Sequence, residues 1–145
     1  MIIDMPAGEV IDRLAILFVK SEMLTDPELK AYSRRAYYDF KQKVKDEIGG
    51  RSFNFRLFRV YRMLIKCHKK SWLGLDAQEV ERITQDSVKF LGISNTLHKL
   101  NMIRRDYKNE INQMFDSDFI ELSNHPEFSP DDAKNTIKKF KFKKD

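Results

Sequence analysis

The fold class this sequence predicts is an all-α bundle, on three observations. Apolar residues recur at spacings of three and four along most of the first 115 residues. Glycine and proline are scarce, five and four in 145 residues, too few for a β-sandwich or barrel that turns about every ten residues. Capping residues punctuate the periodic stretches where one helix would give way to the next. The length fits a single domain, residues 1–145. A chain of this size buries roughly 68–70% of its unfolded surface, enough for a core without staples. The expectation is a compact bundle of about five helices with a short C-terminal extension.

The first helix runs from about Pro6 to Leu24. Pro6 suits a first turn and Asp4 is a candidate cap. At about 100° per residue, Val10, Leu14, Leu17 and Leu24 form one apolar stripe, with Ile11, Ala15 and Phe18 beside it and Ile16, Val19 and Met23 toward the other side. A helix that is apolar nearly all round is buried nearly all round. What stays polar is a narrow strip of Glu9, Arg13 and Lys20, with Asp12 at its margin. Asp26-Pro27 then reads as a cap and first helical position. A second helix follows to about Ile48, with Leu29, Ala36, Phe40 and Val44 on one face, and Gly49-Gly50 ends it.

The third helix is expected over about 54–71. Leu57, Phe58, Tyr61, Leu64, Ile65, His68 and Trp72 share one third of its wheel, and Arg56, Arg59, Arg62, Lys66, Lys69 and Lys70 take the opposite face. Asp76-Ala-Gln-Glu79 has the form of a capping box and predicts a fourth helix carrying Val80, Ile83 and Leu91. Gly92 ends that helix or bends it into a fifth, from about Ser94 to Phe115. There Leu100, Ile103, Tyr107, Ile111 and Met114 form the core stripe, and Asn101, Arg104, Arg105, Lys108 and Asn112 form a polar stripe along its edge. Residues 116–133 read as an acidic loop, with Ser129-Pro130 as one more helix start, and residues 134–145 as a lysine-rich tail.

The net charge of +5 is strongly segregated. Residues 51–75 carry seven basic side chains and no acidic one, whereas residues 116–133 carry six acidic and no basic ones. Opposite blocks of this kind predict neutralisation within the chain or across a dimer. The longest apolar run, Leu14 to Val19, is six residues, too short for a spanning helix or the core of a secretory signal. A lone cysteine, Cys67, leaves no internal disulfide and fits a reducing, cytoplasmic setting.

No motif names a reaction. Cys67 and His68 are adjacent, so on a helix they point about 100° apart, and His68 reads best as a core histidine. The three histidines lack paired spacing, so no metal is expected. Asp116-x-Asp118-x-x-Glu121 lacks the glycine and register of a calcium loop. No glycine-rich phosphate cradle is present and no cofactor is implied. Two constellations remain: the strip Glu9, Asp12, Arg13 and Lys20, and the stripe Asn101, Arg104, Arg105, Lys108 and Asn112. Each is either a solvated helix edge or part of a site. Arginine forks match phosphate and carboxylate geometry, which gives the second stripe an anion-binding character.

Two stretches carry a family resemblance. The first is Gly8-Glu9-Val10-Ile11-Asp12-Arg13-Leu14-Ala15-Ile16-Leu17 with Lys20. The second is Trp72 with Glu79 to Arg82, then Asn101-x-x-Arg104-x-x-x-Lys108-x-Glu110-Ile111-Asn112. They resemble a helical domain family of unknown function from bacteria and phages, sometimes attached to sugar-transferring or tetratricopeptide proteins. Its patterns are Gly-Glu-x-x-Asp-Lys/Arg-x-x-Ile-Leu and Asn-x-x-Arg-x-x-x-Lys-x-x-Ile-Asn. The likeness departs at Arg51–Arg62, which looks like a basic, phenylalanine-rich insertion, and after Asp116. It implies an all-helical domain and no established activity.

Three functions follow as expectations. The first is a non-enzymatic module for a small anionic ligand, a nucleotide or nucleotide-sugar, with Glu9, Asp12, Arg13 and Lys20 meeting Asn101, Arg104, Arg105, Lys108 and Asn112 across a cleft. The phage likeness extends this to sequestering a host signalling nucleotide. The second is a nucleic-acid binder using Arg56, Arg59, Arg62, Lys66, Lys69 and Lys70, weakened because the aromatics fall mostly on the core face and would not stack on bases. The third is an accessory enzyme of sugar transfer with Glu9 and Asp12 as acid and base. A homodimer or higher homo-oligomer is expected, and no membrane partner.

Overall fold

The computed structural model of the chain describes residues 5–48 and 54–115. They form four helices: α1 (Ala7–Met23), α2 (Pro27–Ile48), α3 (Phe55–Thr84) and α4 (Ser87–Met114). The all-α bundle expected from the sequence is the fold. The acidic segment 116–133 and the tail 134–145 lie outside the described residues, as does Asp4.

The first two helices begin and end close to where the sequence places them. Asp26 caps α2, its Oδ1 accepting from the backbone N–H groups of Glu28 and Leu29 at 2.9 and 3.1 Å. Asn54 caps α3 in the same way, accepting from Leu57 N at 2.8 Å. Beyond that point the boundaries differ from expectation. The chain over 54–115 makes two long helices rather than three, because α3 runs straight through Asp76-Ala-Gln-Glu79. Glu79 is taken by an i,i+3 ion pair with Arg82 instead of reaching back to a cap. The break comes at Gln85, which adopts a left-handed conformation (φ 59°), and Asp86, whose side chain accepts from Lys89 N and starts α4. Gly92 neither ends nor interrupts α4.

The core is gathered in one half of the molecule. Ile11, Leu14 and Ala15 of α1, Val44 of α2, Leu57 to Cys67 of α3 and Leu100 to Ile111 of α4 supply its buried apolar side chains. None of the described residues between 69 and 99 belongs to it. With about 1.5 Å rise per residue, the 30 residues of α3 and 28 of α4 each exceed 40 Å, and α1 spans only about 25 Å. The distal parts of α3 and α4 therefore pair with one another as a two-helix arm. Leu75, Val80, Ile83, Val88 and Leu91 stand exposed there, the sequence-predicted core roles of Val80, Ile83 and Leu91 included. On α3 the buried face is turned from the expected one. Val60, Met63 and Cys67 are buried, and Phe58 is 49% exposed.

Among the described residues no helix is long and apolar enough to cross a membrane.

Candidate functional site

The first and last helices lie antiparallel, and their polar strips meet. As residue numbers rise along α1 they fall along α4: Gly8 faces Asn112 and Lys108, Glu9 faces Lys108, and Asp12 faces Arg104. This register makes a polar seam between the two helices.

The seam begins at the N-terminus of α1. A helix start leaves four N–H groups without intrahelical partners. Pro6 has no side-chain hydroxyl or carboxyl to offer them. The amide oxygen of Asn112, 104 residues away in sequence, accepts from Gly8 N at 2.7 Å and serves as the missing cap. Both residues are buried, and the helices are close enough that a Cβ on Gly8 would stand 2.1 Å from the Lys108 carbonyl oxygen. Only glycine fits at this crossing.

One turn on, Lys108 Nζ reaches Glu9 Oε2 at 2.6 Å; the lysine side chain is 7% exposed and the glutamate 34%. Asp12, 1% exposed, lies deeper. His68 Nε2 of α3 stands 2.7 Å from its Oδ1, and because a carboxylate only accepts, the ring proton sits on Nε2. Arg104 Nε lies 3.8 Å from Oδ2. That nitrogen is buried and forms no hydrogen bond, while the Arg104 side chain as a whole is 33% exposed. The guanidinium thus has its inner edge over a carboxylate and its outer edge at the surface.

The thiol of Cys67, next to His68, is buried in the same region. Burial pushes its pKa up to about 12, with the nearby Asp12 charge adding to the rise and Arg104 opposing it. It is an inert core thiol.

The structure divides the sequence-predicted site residues into two groups. Glu9, Asp12, Arg104, Lys108 and Asn112 come together along the seam. Arg105 is half-buried beside them, and Asn101, Arg13 and Lys20 are exposed. The expected open cleft is closed over much of its length, because Lys108 and Asn112 reach α1 directly. Sequence reasoning did not place His68 against Asp12, or Gly8 at the crossing. A signal for His68 existed: an aspartate on a helix apolar nearly all round needs a buried donor, and a histidine on the apolar face of another helix is one.

The alternative cationic face on α3 is also built as a surface. Arg56, Arg59, Arg62 and Lys66 are exposed, and Lys69 and Lys70 are half-exposed. Arg56 pairs with Glu110 at 3.3 Å, and Lys69 with Glu22 at 2.6 Å. Here the sequence expectation needs correction, since Phe58 is not in the core and Phe55 is 89% exposed. No group of three or more histidine, cysteine or acidic side chains that could hold a metal ion occurs among the described residues.

Among the described residues, fold and seam together define a helical bundle with a buried polar junction between α1 and α4. Compared with protein families, curated proteins and solved structures, the chain matches none of them.

Proposed function

We propose that the protein is a non-enzymatic binding module for a small anionic ligand, a nucleotide or nucleotide-sugar, held at the outer edge of the α1–α4 seam. The observation that carries this reading is Arg104. Its buried Nε lacks a hydrogen bond while its outer edge is accessible, and a fork of this kind takes two phosphate or carboxylate oxygens at once. Glu9, one-third exposed, borders the same seam, with Arg13 exposed on α1 and Arg105 half-buried on α4. Lys108, Asn112 and Asp12 act in this reading as positioning groups that fix Arg104. A role for Glu9 and Asp12 as acid and base is disfavoured, because Asp12 is bonded to His68 away from solvent and Glu9 is held by Lys108.

Calorimetric titration with ADP, GDP, cyclic dinucleotides and UDP-glucose tests the reading. Arg104→Gln and Arg105→Glu should each weaken binding at least about tenfold, since a charge-assisted bond contributes roughly 1.5–3 kcal/mol and 1.4 kcal/mol is a factor of ten. Arg59→Glu on α3 should leave it nearly unchanged. Equal loss with Arg59→Glu, or no heat with any of these ligands, overturns it.

Three further parts of this reading are our own. The likeness to the bacterial and phage helical domains is supported by the fact that its motif positions Gly8, Glu9, Asp12, Arg104, Lys108 and Asn112 are the ones that pair across the seam. It carries with it the sequestering of a host nucleotide. A twofold dimer is supported by the exposed apolar residues of the arm, and light scattering at micromolar concentration checks it. A cytoplasmic setting is supported by the single, buried cysteine.

A further inference from the structure

A second surface, independent of the seam, has its own chemistry. On the wheel of α3 the residues opposite the core are Phe55, Phe58, Arg59, Arg62, Lys66, Lys69 and Lys70, and residues 54–71 contain no acidic side chain. Arg59, Arg62, Lys66 and Lys70 form no ion pair with a described residue, and the Arg62 guanidinium lies over the Phe58 ring, 6.0 Å from its centroid. From Phe55 to Lys70 the stripe is about 22 Å long at the rise of an α-helix.

At its far end the stripe meets a groove. Lys69 Nζ sits 5.7 Å from the centroid of the Phe18 ring and 2.6 Å from Glu22 Oε2. Phe18 and Glu22 line a cavity of about 430 Å³ between α1 and α2, together with Tyr37, Tyr38, Lys30 and Arg34. Phe18, Tyr37 and Tyr38 stack edge to face in sequence, with centroids 5.5 and 5.3 Å apart. Tyr38 is 59% exposed. A track of cations thus has accessible aromatic rings at both ends, and the groove end carries two further cations.

We infer that this track binds single-stranded nucleic acid, its phosphates along Arg59, Arg62, Lys66 and Lys70 and its bases against Phe55 and Phe58 at one end and Tyr38 at the other. Charge selects a polyanion, and at ~3.4 Å per phosphate along a stacked strand the track matches about six phosphates. Exposed rings select unpaired bases, because every base presents a face for stacking whereas a duplex hides it. A bilayer surface fits less well. An amphipathic helix lying in the interface needs its apolar face free, and the apolar face of α3 is inside the bundle.

The test is fluorescence anisotropy of labelled 20-nucleotide oligothymidylate and oligouridylate, with a 20-base-pair duplex and phosphatidylglycerol vesicles as competitors. Binding at 50 mM salt is expected, with a log–log salt slope of about −3 for four phosphate contacts. The double variant Arg62→Glu/Lys66→Glu should weaken it more than tenfold. Phe55→Ala/Phe58→Ala and Tyr38→Ala should each weaken it several-fold while leaving the salt slope unchanged. All of these positions are exposed, so unchanged circular-dichroism melts should accompany the losses. Absence of binding to both single strands at 50 mM salt overturns the inference. So does duplex binding as tight as single-strand binding with no response to the aromatic variants, and so does displacement by vesicles but not by unlabelled single strand.

Discussion

The packed half of the bundle and the α3–α4 arm are made of the same two helices, with apolar residues at helical spacing in both. In the packed half α1 lies across them, Leu100, Ile103 and Ile111 are buried, and even Lys108 and Asn112 of the polar stripe of α4 are drawn inside to meet Glu9 and Gly8. In the arm, nothing among the described residues covers Ile83, Val88 or Leu91, which remain 69%, 82% and 61% exposed. A helical pattern states that a face is available for burial. Whether it is buried depends on a third helix being long enough to reach it, and α1 is little more than half the length of α3.

The largest expected loss in the packed half is at Asp12. Asp12→Ala removes the buried acceptor of His68 and the counter-charge of Arg104, and loss of one partner of a buried pair costs about 3–5 kcal/mol. Urea unfolding should show this loss with an unchanged slope. If the variant does not fold, Asp12→Asn, which keeps an acceptor for His68, should recover a folded protein of intermediate stability.

An effect of similar order comes from Cys67, also in the packed half. Its folded-state pKa, about 12, lies above its ordinary 9.0. The stabilisation is therefore complete below pH 9 and is lost as pH rises through 12, amounting to on the order of 4 kcal/mol. Alkaline melts of the wild type should fall across that window, and those of Cys67→Ala should fall less. At pH 8 a maleimide reagent should label the native thiol far more slowly than the unfolded one.

Two glycines then give opposite signs for one substitution. Gly8→Ala drives a methyl group into the Lys108 carbonyl, and overpacking of this kind costs about 1–3 kcal/mol. Gly92→Ala meets nothing within 4 Å and should stabilise the arm by about 0.5–1 kcal/mol through helix propensity. Thermal melts of the pair sharpen the contrast. Equal signs would mean that α1 does not approach α4 as closely as 2.1 Å implies.

Asn112→Ala should cost about 1–2 kcal/mol, the range for a lost N-cap, though the cap here comes from another helix. Ile83→Ser in the arm should stay within about 0.5 kcal/mol for a monomer. A larger loss that scales with protein concentration would place Ile83 in a subunit interface.

Much of the fold was legible in the sequence because its causes are local. Spacing of apolar residues marks a helix, and Asp26 and Asn54 mark helix starts because their side chains bond N–H groups only two or three residues on. The break between α3 and α4 was misread where two local signals competed. Asp76-Ala-Gln-Glu79 resembles a start, yet the helix around it had no reason to stop, while Gln85 lacks the glycine that usually marks a left-handed turn.

What the sequence determined by itself, then, is the helical class, the first two helices and the polarity of each strip, all set by neighbours within a turn or two. Tertiary structure alone decided that Asn112 caps α1 across 104 residues, that His68 answers Asp12, that Phe58 is half-exposed and that no other described helix covers the arm. The physical reason is that a wheel gives directions around one axis only. Which helix lies in that direction, at what register and over what length, is fixed by how the helices share a core, and at Gly8 α1 and α4 pack too closely for a Cβ.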